Sequence, residues 1–187
     1  IIASCLILFL YKPIALIILP FLIGVFFLVS PKALKNRALS SFSIDSNKAR
    51  IELIRVGIKI IKDYPIFGTG SNTVEKVFQD SKYGLSENVK KEVHLHNNIL
   101  QTGAERGIPT LIAWLAFMVW IFFSLVKLLK NKDPALRAFT VAALAALLGL
   151  NIAGLFEYNF ADSEITTLFL YMITIPFSLI RIKEKSH

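Results

Sequence analysis

The chain has 187 residues, of which 55% are hydrophobic and 18% charged, and its formal net charge is +8. With a mean hydropathy of +0.60 it is too apolar for a soluble domain of this size. A single cysteine, Cys5, excludes a disulfide within the chain, and no nucleic-acid-binding module is recognisable despite the basic balance.

The apolar residues fall into blocks, and blocks of this kind read as transmembrane helices of about 20 residues each. Ile1 lies inside such a block with neither Met nor a basic leader before it, which reads as a cut point within a longer membrane protein. Residues 1–10 form the tail of one span, Tyr11-Lys12-Pro13 a turn, and Ile14 to Val29 a second span, making residues 1–30 a transmembrane hairpin. About eighty mostly polar residues follow, 31–110, and then three further apolar blocks, Leu111–Val126, Phe139–Phe156 and Ile165–Ile180, within residues 111–187. The expectation is an all-α, polytopic membrane protein with about five spans and one long membrane-associated loop carrying short helices.

The short loops set the sidedness. Lys127, Lys130, Lys132 and Arg137 face one acid, Asp133, and the tail carries Arg181, Lys183 and Lys185 against Glu184. Between them, 157–164 holds Glu157, Asp162 and Glu164 and no base. The first two are expected in the cytoplasm, and 157–164 together with 31–110 outside. That outer segment holds thirteen Lys/Arg against eight Asp/Glu, a surplus suited to anionic headgroups or to an anionic lipid-linked substrate.

Within it, Asp45 or Ser46 can cap a helix running to about Tyr64. Ile51, Ile54, Ile58 and Ile61 recur at helical spacing beside a basic stripe of Arg55, Lys59 and Lys62, the pattern of a helix lying in the membrane interface. Arg50, in its first turn, is either a snorkelling surface charge or a phosphate clamp. Pro65-Ile66-Phe67-Gly68-Thr69-Gly70 ends the helix in a turn where the backbone bends sharply or approaches something closely; it lacks the rest of a nucleotide-binding signature. Residues 71–93 read as a solvated excursion or a flap.

His94 and His96 lack a third ligand at metal spacing. In a helix starting near His96, the residues Asn97, Asn98, Gln101, Thr102 and Glu105 share a polar arc, with His96 opposite beside Ile99, Leu100 and Gly103. There it is either a core histidine or a base kept neutral by the helix N-terminus, Gly103 leaving room for a substrate chain. Gly107 then ends that helix and Pro109 opens the first of the last three spans. In that span Trp114 reads as an interface anchor and Trp120 as packing. Glu157 belongs to a short polar connector, or is a carboxylate that fixes the basic loop or binds sugar hydroxyls.

His96-Asn97, nine residues, then Gly107-Ile108-Pro109-Thr110 resembles the signature of O-antigen ligases and related polysaccharide polymerases. Arg50, fourteen residues, then Pro65 to Gly70 is similar to the block that precedes the histidine in that family. The resemblance is taken to run from Arg50 to the C-terminus, with a further family arginine upstream that has no counterpart here. It implies a glycosyltransferase of the bacterial inner membrane, with its active loop facing the periplasm and no cofactor. The outer segment has no Asp-x-Asp pair to hold a divalent metal, so a metal-independent mechanism is expected. The donor would be a polyprenyl-pyrophosphate-linked glycan and the acceptor a glycan or lipid A-core hydroxyl. Arg50 would hold the pyrophosphate and His96 would be the base, with Arg55, Gly68, Gly70, Asn97 and Glu157 binding substrate. A protein O-oligosaccharyltransferase of the same family is an alternative. A transporter would more often carry charges within its spans, and an assembly subunit would not need Arg50 and His96 together.

Overall fold

A computed structural model describes residues 44–185, and among these every regular element is helical. The proposed hairpin of residues 1–30 and Cys5 lie outside the described residues. Helix α1 spans Ile44–Asp63, the short α2 Val74–Phe78, and two 3-10 turns cover Ser81–Tyr83 and Val89–Lys91. Three long helices follow: α3 Asn98–Leu128, α4 Pro134–Ala153 and α5 Ser163–Lys185. Each of these three contains a stretch long and apolar enough to cross a membrane.

Residues 44–107 form a folded unit with its own core. Leu53, Val56 and Ile60 of α1 meet Val74, Phe78, Tyr83, Leu85 and Val89. The apolar part of residues 71–93 is therefore packed rather than solvated: Val74, Phe78, Tyr83, Leu85 and Val89 turn inward, while Val93 stays 56% exposed. The α1 face that packs on this core is a second apolar arc, distinct from the isoleucine stripe expected at the membrane interface. Ile51, Ile54 and Ile58 remain 50%, 46% and 44% exposed, because α1 carries two apolar arcs and the protein core takes the other. Asp45 and Ser46 fall within the first turn of α1 rather than ahead of it. At its far end Asp63 accepts from the Tyr83 hydroxyl (2.9 Å) and pairs with Lys82 (3.0 Å), tying α1 to the first 3-10 turn.

The long helix α3 is two helices joined at Gly107, whose φ of 82° and ψ of 171° are non-helical, with Pro109 just beyond. A break here leaves backbone groups without helical partners, and in an apolar setting each must find one. The Pro65–Gly70 turn supplies them: Thr69 N–H donates to the Ala104 carbonyl (2.9 Å), Gly70 N–H to Glu105 (2.9 Å), and Ile108 N–H to Pro65 (2.7 Å). A side chain on Gly107 would run into the Ile66 carbonyl, and one on Gly68 into the Glu105 backbone. The two glycines permit that approach. The expected Gly-Ile-Pro boundary between outer helix and span is thus where the kink lies.

Below the kink, Met118, Ile121 and Leu125 of α3 pack on Ala143, Leu144 and Leu147 of α4 and Phe169 and Ile173 of α5. The outward faces stay apolar, as lipid contact demands; Trp120 is 64% exposed. Trp114 packs edge-on to Phe160, ring centroids 5.5 Å apart, so the packing role expected of Trp120 falls to Trp114. The α4–α5 connection lies at the same end of these helices as the 44–107 unit, because Asn98 N–H donates to the Gly154 carbonyl (2.7 Å).

Candidate functional site

The site forms where the start of α3 meets the α4–α5 connection. Asn97 caps α3: its side chain accepts from Leu100 N–H (3.0 Å) and donates to the Leu155 carbonyl (3.1 Å). Asn98, the first helical residue, is 1% exposed and binds the connection three times. It donates to Asn159 Oδ1 (2.7 Å) and accepts from the backbone N–H of Asn159 (3.1 Å) and Phe160 (3.2 Å). One turn on, Gln101 accepts from Leu95 N–H (2.7 Å) and donates to Glu105 (2.9 Å).

The polar arc of this helix is therefore buried, Asn98, Gln101, Thr102 and Glu105 all at 2% exposure or less. Asn98, Gln101 and Glu105 are hydrogen-bonded within the protein, while the Thr102 hydroxyl finds no partner among the described residues. The opposite side holds no open space either: a Cβ on Gly103 would press on Ile61. The room expected there for a substrate chain is filled by α1.

His96 precedes the cap and stands outside the helix, in the left-handed region with φ 48°. For a residue with a side chain this conformation is strained, and such strain gathers at functional positions. Its ring lies between two carboxylates: Nδ1 is 3.0 Å from Glu157 Oε1 and Nε2 is 3.0 Å from Glu92 Oε2. Burial opposes the charged ring, but Glu92 and Glu157 outweigh it and hold the imidazolium pKa above its usual range. The expectation of a ring kept neutral by the helix end is overturned. Two full charges within hydrogen-bond distance exceed the partial charge of one terminus.

His94 behaves oppositely. Burial first, and the neighbouring His96 second, push its pKa down. Its Nδ1 accepts from His96 N–H (3.3 Å), which leaves the proton on Nε2, 3.5 Å from Glu157. The two rings meet edge-on with centroids 4.1 Å apart. Glu157 is held below the ordinary carboxylate range: burial pulls the other way, but Tyr158 N–H and the His96 ring prevail.

Ligand atoms of His94, His96 and Glu157 lie within 4.8 Å of one another, a set able to hold a metal ion. Local spacing offered no third ligand to the two histidines, because Glu157 is 61 residues from His96. His94 was weighed only as a metal ligand beside His96, and Glu92 was not singled out. For His94 the His-x-His spacing was a signal; for Glu92 nothing in the sequence marked it.

Arg50 joins this group through the connection. Its guanidinium lies over the Phe156 ring, 5.8 Å from the centroid, and Phe156 is the residue before Glu157. Arg55 does not join it. Five residues further round α1, it projects about 140° away and lines a separate cleft of about 520 Å³ with Lys48, Lys59 and Tyr83. Gly68 N–H donates to the Tyr64 carbonyl (3.2 Å) and Gly70 N–H to Glu105, so neither amide is open to a phosphate. Of the residues expected to bind substrate, Asn97 and Glu157 are at the site, while Gly68 and Gly70 hold the kink.

A cavity of about 450 Å³ opens against this cluster, bounded by Glu75, His94, Gln101, Glu157, Tyr158 and Asp162.

A family model described as O-antigen ligase matches residues 1–115. The match covers more than half of the chain and includes Arg50, the Pro65–Gly70 turn and His96. It begins upstream of Arg50 and stops within α3, so it does not extend to the C-terminus as the motifs alone suggested, and Glu157 lies beyond it. No curated protein matches the chain.

Proposed function

The chain belongs to the O-antigen ligase family, whose function lies in polysaccharide biosynthesis, and from this we propose that it transfers a glycan from a polyprenyl pyrophosphate to a sugar hydroxyl on the periplasmic side of the inner membrane. The observation that carries the reading is His96, held between Glu92 and Glu157 next to the residue that Arg50 covers.

In this scheme Arg50 binds the pyrophosphate, whose negative charge grows as it leaves. Glu157, with its side chain 54% exposed, swings off Nδ1 and the acceptor hydroxyl takes its place. The acceptor oxygen attacks the anomeric carbon, the carbon–oxygen bond to pyrophosphate breaks, and the hydroxyl proton passes to neutral His96 at Nδ1. Glu92, still on Nε2, stabilises the imidazolium so formed. Glu92, which favours the charged ring, makes the neutral ring a stronger base.

We read the reaction as independent of metal. The His94 tautomer places a proton on Nε2, the atom through which that ring would reach an ion shared with Glu157. Arginine would then supply the positive charge. Sustained transfer by purified protein in the presence of chelator is the expected outcome, and loss of transfer that added metal restores would refute this.

The test of the whole reading is transfer by the full-length protein in liposomes containing a polyprenyl-pyrophosphate glycan. Growing glycan, lipid A-core and acceptor protein would be offered in separate reactions. His96→Ala should abolish transfer at wild-type expression, and retained turnover would refute the role of this ring. The acceptor that is used distinguishes polymerase, ligase and protein oligosaccharyltransferase.

A further inference from the structure

The cavity beside His94 and Glu157 is distinct in charge from the rest of the outer unit. Glu75, Glu157 and Asp162 line it, and among the described residues no lysine or arginine does. Two cations touch its lining: His96, 3.0 Å from Glu157 Oε1, and Arg106, which hydrogen-bonds Tyr158 and whose charge there is opposed by Glu105. Its back wall is built and polar: Gln101 is 1% and Tyr158 8% exposed, and one Gln101 amide proton is fixed on Glu105 while its oxygen is fixed on Leu95 N–H. Asn72, with φ 56°, stands at the edge.

Carboxylates, amides and an aromatic ring around about 450 Å³ suit a hydroxyl-rich ring, since each hydroxyl both donates and accepts and such clefts run from roughly 300 to 1,000 Å³. His96 offsets the charge of Glu157, so an anion there would face chiefly Glu75 and Asp162, neither of which is ion-paired among the described residues.

We propose that this cavity holds the acceptor sugar, admitting an uncharged or amino-bearing ring and turning away one that carries a carboxylate or phosphate. The proposal rests on the glycan-transfer reading above. Two faces of opposite sign would then sort the substrates: the pyrophosphate goes to Arg50, and the acceptor to the acidic cleft on the other side of Glu157.

The experiment is a saturation-transfer NMR titration of the full-length protein in nanodiscs with three probes: methyl glucoside, methyl glucosaminide and methyl glucuronide. The first two should bind. The glucuronide should bind at least about tenfold more weakly, the scale of one like-charge repulsion near 6 Å in a half-solvated cleft. Glu75→Gln and Asp162→Asn, singly and together, should narrow that gap. Glucuronide binding as tight as glucoside, a gap unmoved by both substitutions, or binding of none of the three overturns the proposal. If His96-dependent transfer persists while the titration fails, only the pocket assignment falls. If the charge preference holds but no acceptor is glycosylated, the transfer reading falls and the sugar site stands.

Discussion

Asn98→Ala is the sharpest probe of how the site is held together. The side chain is 1% exposed and satisfies three groups of the α4–α5 connection. Truncation leaves the backbone N–H of Asn159 and Phe160 without an acceptor, and each unsatisfied buried amide costs about 1–3 kcal/mol. Phe160 is only half-buried, so water recovers part of that loss, and the expected destabilisation is about 2–4 kcal/mol. Asn98→Asp is the control, since it keeps the oxygen that both amides use and loses only the donor to Asn159. Unfolding in a fixed detergent should rank wild type above Asp and Asp above Ala. Because the connection carries Glu157, transfer by the alanine variant should also fall when measured at a temperature where it is still folded. Equal losses for Asp and Ala, or an alanine variant within about 1 kcal/mol of wild type, would refute the view that Asn98 pins this loop.

Further outcomes follow from the same geometry. With its pKa held above the ordinary 6.5 by two carboxylates, His96 must lose a proton before it can act, so transfer should rise with pH through a midpoint above that value. Glu92→Gln should move the midpoint down, and a midpoint that stays put would exclude Glu92 from the base. In the folding equilibrium, charged His96 contributes stability that is fully present below 6.5 and lost as pH rises through its folded value. His94, held down by burial, adds a penalty that grows as pH falls from 6.5 through its own folded value. Comparing the melting profiles of His94→Gln and His96→Gln across pH 5–9 should therefore show opposite slopes. Gly107→Ala places a Cβ at φ 82° against the Ile66 carbonyl and should cost about 1–3 kcal/mol in the same unfolding assay; a neutral result would mean that the kink relaxes freely. Arg50→Ala should cripple transfer while Arg55→Ala leaves most of it, and the reverse order would move the pyrophosphate to the cleft on the far side of α1.

What could be read from the chain and what could not divide along sequence distance. Gly107 and Pro109 act on their own backbone, so the boundary between outer helix and span was legible from two letters. The same holds for the turn at Pro65–Gly70, though not for its purpose. Only the fold shows that its amides and carbonyls complete a broken helix some thirty-five residues away. The Asn97-Asn98-Gln101-Glu105 arc was legible as polar, but periodicity reports polarity and not the partner that satisfies it. Here the partners are Leu155, Asn159 and the Leu95 amide, and a helix face that looks like surface is an interface. The two apolar arcs of α1 show the converse. Leu53, Val56 and Ile60 went inward and Ile51, Ile54 and Ile58 outward, a choice that depends on where α2 and α3 dock and that no single-helix pattern contains.

The histidine shows why this distinction matters for chemistry. Its residue type and place before a helix were visible, and from them alone a neutral ring followed. Glu92 lies four residues away across a break in helical geometry, and Glu157 arrives only when Asn97 and Asn98 clamp the α4–α5 connection. Between them they reverse the sign of the expected shift. The clamp thus does more than shape the site: it sets the charge on the ring that the proposed mechanism needs. Loosening Asn98 and deleting Glu157 should accordingly alter the pH profile of transfer in the same direction, toward lower pH. If Asn98→Ala slowed transfer without moving the profile, the connection would be a scaffold for substrate and not a control on His96.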